Sequence, residues 1–85
     1  MANEELIICG ATFGKGEIKK DITTRLIKDI KDNKINKRYS YKSLGDPVPG
    51  VQKEVKVIFK SGGKIFTKSF LERSTPDKEI LVIIP

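Results

Sequence analysis

Polar and apolar residues follow two different rhythms along this chain. Leu6 to Phe13 is a mostly apolar run that predicts a first, buried strand, and Gly14-Lys15-Gly16 breaks it. The rhythm then becomes helical. Asp21 stands where an N-cap belongs, and Ile22, Leu26, Ile27 and Ile30 recur at helical spacing behind it. Thr24, Arg25, Lys28, Asp29 and Asp32 fill the opposite side, and Asn33 supplies a stop. The spacing predicts one helix over 21–32.

Alternation with period two returns afterwards. Ile35 to Leu44 predicts a strand, with Ile35, Lys37, Tyr39 and Tyr41 on one side. Val55, Val57 and Phe59 alternate with Glu54, Lys56, Ile58 and Lys60. Ser61-Gly62-Gly63 turns the chain and Ile65 to Leu71 returns it, which predicts a hairpin. Two registers are available. Pairing Lys60 with Ile65 sets Phe59 against Phe66 and Val55 against Phe70. Pairing Lys60 with Lys64 opposes two cations, and the first register buries more aromatic area. After a turn at Ser74-Thr75-Pro76-Asp77, Ile80 to Ile84 predicts a closing strand. One helical period among four or five strand-like runs predicts a single α+β domain over residues 1–85. It is a small, mostly antiparallel sheet, open to a sandwich-like arrangement, with one helix packed on it. Val55, Val57, Phe59, Phe66, Phe70, Leu26, Ile30, Ile8 and Val82 are the expected core.

Charge adds to this picture. Seventeen Lys and Arg against eleven Asp and Glu give a net charge of +6, with no His. A basic balance suits acidic proteins, nucleic acid or anionic membranes. Fourteen of the cations are Lys, which lack the bidentate fork of Arg, and they are interleaved with acids. No apolar run reaches the length of a membrane-spanning helix. The acidic start and short apolar run do not read as a secretory leader, and one cysteine allows no internal disulfide. The expected address is the cytoplasm. Cys9 sits among Leu6, Ile7 and Ile8 and is expected as a small buried hydrophobe.

Candidate chemistry is sparse. Gly10 to Gly16 follows a strand, but three residues separate Gly10 from Gly14 and Gly16 follows Lys15, so a phosphate-binding loop does not fit. Without His there is no Ser-His or Cys-His pair. The carboxylates are scattered, so neither catalysis nor a cofactor is expected. Two candidate surfaces remain. The loop Asp46, Pro47, Val48, Pro49 and Gly50 is stiff, and serves either as a structural corner or as a recognition edge for a protein partner. Arg38, Tyr39, Tyr41 and Lys42 lie together on one predicted strand, as in a stacking platform for single-stranded nucleic acid. Alternatively both tyrosines pack beneath the helix with their hydroxyls at the rim.

Ala11-Thr12-Phe13-Gly14, Asp21-Ile22-Thr23, Leu44-Gly45-Asp46-Pro47 with Pro49-Gly50, and Lys53-Glu54-Val55 occur in an order that resembles a small domain found at the C-terminal end of certain DnaJ-like proteins. The Gly-Asp-Pro-x-Pro-Gly segment carries the resemblance, which spans nearly the whole chain. Leu44 stands where that pattern has an aromatic, and Tyr41-Lys42 where it has asparagines. The resemblance implies a non-enzymatic accessory module, and the chain has no J-domain His-Pro-Asp motif. The expected function is an interaction module for a macromolecular partner, with single-stranded nucleic-acid binding as the alternative.

Overall fold

The computed structural model of the protein describes residues 5–45, 50–73 and 78–84. Six strands and two short helices occupy them: β1 (Ile7–Lys15), β2 (Ile18–Asp21), α1 (Thr23–Lys28), β3 (Ile35–Tyr39), α2 (Tyr41–Leu44), β4 (Glu54–Ser61), β5 (Lys64–Leu71) and β6 (Ile80–Ile84). One sheet has the order β2-β1-β4-β5, and β3 pairs with β6 in a second. All pairings are antiparallel. The α+β class and the mostly antiparallel sheet follow the alternation in the sequence.

The core fills the space between the two sheets. Ile8, Ala11, Phe13, Val55, Val57 and Phe59 face inward from the larger sheet. Ile35, Tyr39, Ile80, Val82 and Ile84 meet them from the smaller one, with Ile22, Leu26 and Leu44 between. Full burial of such a side chain contributes roughly 1.5–3 kcal/mol. The hairpin adopts the aromatic register, with Lys60 opposite Ile65, Phe59 opposite Phe66 and Val55 opposite Phe70. Gly62 and Gly63 both have positive φ, 60° and 81°, as a two-residue type I′ turn requires.

Several expectations change. The Gly14-Lys15-Gly16 break is instead the end of β1 and a turn into β2, which the sequence pattern does not reveal because all four β2 residues are exposed. A Cβ on Gly14 would lie 2.1 Å from the Ile18 carbonyl oxygen, so the two chains pass too closely there for a side chain. Cys9 is exposed. The β1–β4 register slips between Ile8 and Gly10, and the extra residue places Ile8 inside, opposite Phe59, with Cys9 outside. Phe66 and Ile30 are not fully buried, and neither is Phe70. Phe66 is 42% exposed, although its ring stacks on Phe59 at 5.4 Å.

The helix is shorter than its period predicts, six residues against twelve. Four β-branched residues, Ile22, Thr23, Thr24 and Ile27, weaken helix propensity over this stretch. Past Asp29 the chain enters a tight turn in which Lys31 and Lys34 exchange backbone hydrogen bonds of 2.8 and 3.1 Å. Asp32 and Asn33 take φ of 53° and 63° there, a region that Asp and Asn tolerate better than most residues. Asn33 therefore stops a turn rather than the helix, and its Oδ1 accepts a 2.6 Å bond from the Leu6 amide. The N-cap position falls on Ile22, one residue after Asp21. Asp21 still accepts from the Thr23 amide at 2.9 Å and from the Thr23 hydroxyl at 2.6 Å.

Candidate interaction surface

The predicted stacking strand does not exist as one face. β3 ends at Tyr39, and Ser40 to Ser43 turns the chain into α2, with the Ser40 amide donating to Ser43 Oγ at 3.4 Å. Tyr39 and Tyr41 therefore lie on different elements. Tyr39 is 1% exposed and offers no ring face for a base, Tyr41 is half-buried, and Arg38 and Lys42 are exposed. The packed arrangement of the sequence's alternative reading is the one found for Tyr39.

Tyr39 belongs to a polar cluster around Asp29. Its hydroxyl donates to Asp29 Oδ2 at 2.6 Å, Lys37 Nζ donates to Oδ1 at 3.0 Å, and Arg25 Nε lies 3.5 Å from Oδ2. Burial alone would raise the Asp29 carboxyl. The hydrogen bonds from Tyr39 and Lys37, with the charges of Lys37 and Arg25, outweigh it and hold Asp29 below the usual carboxylate range. Burial, with the bond to Asp29 and its charge, pushes the Tyr39 hydroxyl well above the ordinary tyrosine value. The cluster locks α1 to β3. Beside it runs an open trough of about 390 Å³ edged by Lys28, Lys31, Lys34 and Lys37 as well as Asp29 and Asp32.

Of the predicted recognition loop, Asp46, Pro47, Val48 and Pro49 lie outside the described residues. Gly50 is exposed at φ 79°. Near it is a feature that sequence reasoning missed. Lys53 and Glu72 are 1% and 3% exposed, and Lys53 Nζ lies 3.6 Å from Glu72 Oε1. Lys53 Nζ also donates to the Val51 carbonyl at 2.8 Å, and the Lys53 amide to Glu72 Oε1 at 3.3 Å. Glu72 Oε2 is buried with no hydrogen-bond partner. The preferred hairpin register, continued past Glu54 and Leu71, sets Lys53 opposite Glu72 on the inward face, so the signal lay in the alternation.

A further surface is the outer face of the four-stranded sheet. Register places its side chains in rows across β1, β4 and β5: Ile7, Lys60 and Ile65; then Gly10, Ile58 and Thr67; then Thr12, Lys56 and Ser69. Ile7, Ile58, Ile65 and Leu71 are all substantially exposed, up to 68% at Ile65. Among the described residues no helix or strand covers this face. Since Gly10 brings no side chain to its row, an open trough of about 420 Å³ runs beside Ile58, between Thr12, Lys19 and Lys56. Such a surface offers apolar contact framed by ammonium groups. Asp21 also lines the trough, and no group of three metal-ligating side chains forms among the described residues.

No family model, curated protein or solved structure matches the chain. No helix among the described residues is long and apolar enough to cross a membrane.

Proposed function

We propose that this domain is a non-enzymatic interaction module that binds a macromolecular partner, most directly a protein, through the outer face of its four-stranded sheet. The observation that carries the reading is that Ile7, Ile58, Ile65 and Leu71 share one uncovered face with Lys56 and Lys60. A surface of apolar anchors with a charged frame is the usual composition of a protein-binding patch. The accessory role implied by the DnaJ-like resemblance agrees with it. A photo-crosslinking residue at Ile58 is expected to trap a discrete protein in cells of the source organism, while one at Ile83, on the outer side of the smaller sheet, traps none. Equal trapping from both positions contradicts the reading, as does a substrate whose turnover requires one of the carboxylates.

Nucleic-acid binding is the second reading, and the lysines of the Lys28–Lys37 trough favour it. With Tyr39 buried, it rests on phosphate attraction rather than base stacking. Titration with a mixed single-stranded oligonucleotide at two salt concentrations tests it. Steeply salt-dependent perturbation around Lys28, Lys31, Lys34 and Lys37 supports it, and silence at low salt eliminates it.

A further inference from the structure

We propose that the open edge of β5 takes up an extended acidic–apolar segment of a partner protein as a fifth strand of the sheet. The proposal rests on the interaction-module reading and specifies how that module binds. β5 is the last strand of its sheet, and no described strand pairs with its outer edge. Seven of its eight residues are exposed, and beyond its end the Arg73 amide donates to the Glu79 carbonyl at 3.1 Å.

The phase of the hairpin fixes which backbone groups are free. A two-residue type I′ turn makes the flanking pair, Ser61 and Lys64, a hydrogen-bonded one, and bonded pairs then recur at every second position. The Glu72 amide donates to the Lys53 carbonyl at 2.9 Å, which continues the same phase at the far end. Ile65, Thr67, Ser69 and Leu71 therefore turn their N–H and C=O groups away from β4, to the open edge. The same four side chains lie on the uncovered outer face. A docking strand would gain a ladder of main-chain bonds and, beside Ile65 and Leu71, apolar contact.

Charge selects the partner. The hairpin strands carry Lys56, Lys60, Lys64 and Lys68 against Glu54. Lysines along an edge strand oppose pairing with another basic strand. A second copy of this chain brings the same lysines and a net charge of +6, so self-pairing is disfavoured. A strand with carboxylates opposite Lys64 and Lys68, and apolar residues opposite Phe66 and Phe70, is complementary on the inward side of the edge. A nucleic acid would satisfy the lysines and leave Ile65 and Leu71 without apolar contact.

The probe is the peptide acetyl-Val-Val-Thr-Glu-Thr-Val-Val-Glu-amide, written to run antiparallel to β5 from Leu71 to Lys64. It is titrated into the ¹⁵N-labelled full chain. The expected result is shift perturbation centred on β5, with slowed hydrogen exchange at the Ile65, Thr67, Ser69 and Leu71 amides. Binding is lost when the peptide's edge-facing amides are N-methylated, when its glutamates become lysines, or in Lys64→Glu/Lys68→Glu protein that keeps the native amide spectrum. A silent peptide, or one that perturbs another surface, overturns the edge proposal. The broader reading then still stands or falls on crosslinking from Ile58. Perturbation of β5 by raised protein concentration alone overturns the choice of partner in favour of a second copy. Perturbation by oligothymidylate but not by the peptide overturns it in favour of nucleic acid.

Discussion

Asp29 shows how one side chain decides local geometry. Its carboxylate receives the Tyr39 hydroxyl, Lys37 and Arg25, and so holds α1 against β3. Tyr39→Phe keeps the ring and removes one charge-assisted bond, at a cost of about 1.5–3 kcal/mol, and the Asp29 carboxyl should titrate at higher pH in the variant. The sign of the pH effect follows from Asp29's depressed value. Its contribution is full above the unfolded value, 3.8, and is lost as pH falls through the lower folded value. Asp29→Asn should flatten that acid limb in chemical denaturation. The Lys53–Glu72 pair behaves differently because it is buried. Glu72→Ala leaves an ammonium inside and should cost about 3–5 kcal/mol, whereas Lys53→Met with Glu72→Leu should cost much less. This pair was legible from the hairpin register, but only to a reader who extended the alternation past its apolar residues. Cys9 was not legible at all. A bulge inverts the inside–outside order of β1, and nothing in Ile7-Ile8-Cys9-Gly10 marks which residue is the extra one. Cys9 in the native protein should accordingly react with a thiol reagent without prior unfolding.

Elements came through the sequence where an apolar pattern marked them. The β4–β5 hairpin was readable with its register because Val55, Val57 and Phe59 alternate cleanly and the other pairing opposes Lys60 to Lys64 and buries less aromatic area. β2 escaped because it buries none of its four residues. The helix was read too long because Ile30 keeps the helical period after the backbone has left it, and Tyr41 was read as strand because α2 has only four residues. Glycines whose roles depend on tertiary contact or backbone angle separate clearly in their expected costs. Gly14→Ala drives a Cβ into the Ile18 carbonyl and should prevent β1–β2 pairing, read as loss of the native amide spectrum for β2. A Cβ on Gly50 meets no atom within 4 Å, so the cost of Gly50→Val comes from its φ of 79°, and thermal unfolding should report a loss of about 1–2 kcal/mol.

At the scale of the whole molecule, two sheets share one core, and no described strand covers the larger sheet's outer face or pairs with the edge of β5. The smaller sheet packs on the inner side, where Phe66 remains part-exposed, while Ile65 and Leu71 stand on the opposite, outer face. Alternation alone announced two apolar surfaces on β4 and β5. It placed Val55, Val57, Phe59, Phe66 and Phe70 on the covered one; the three β4 residues are buried there, while Phe66 and Phe70 stay part-exposed. The account's central claim is that the uncovered sheet face is where this domain meets its partner. The most direct measurement is the amide spectrum of the ¹⁵N-labelled chain in a lysate of its source cells, compared with buffer. The account predicts broadening concentrated on β4, β5 and the facing part of β1, and its loss in Ile58→Asp/Ile65→Asp protein that retains the native fold. Broadening confined to β3, β6 and the Lys28–Lys37 trough, unchanged in that variant, would contradict it.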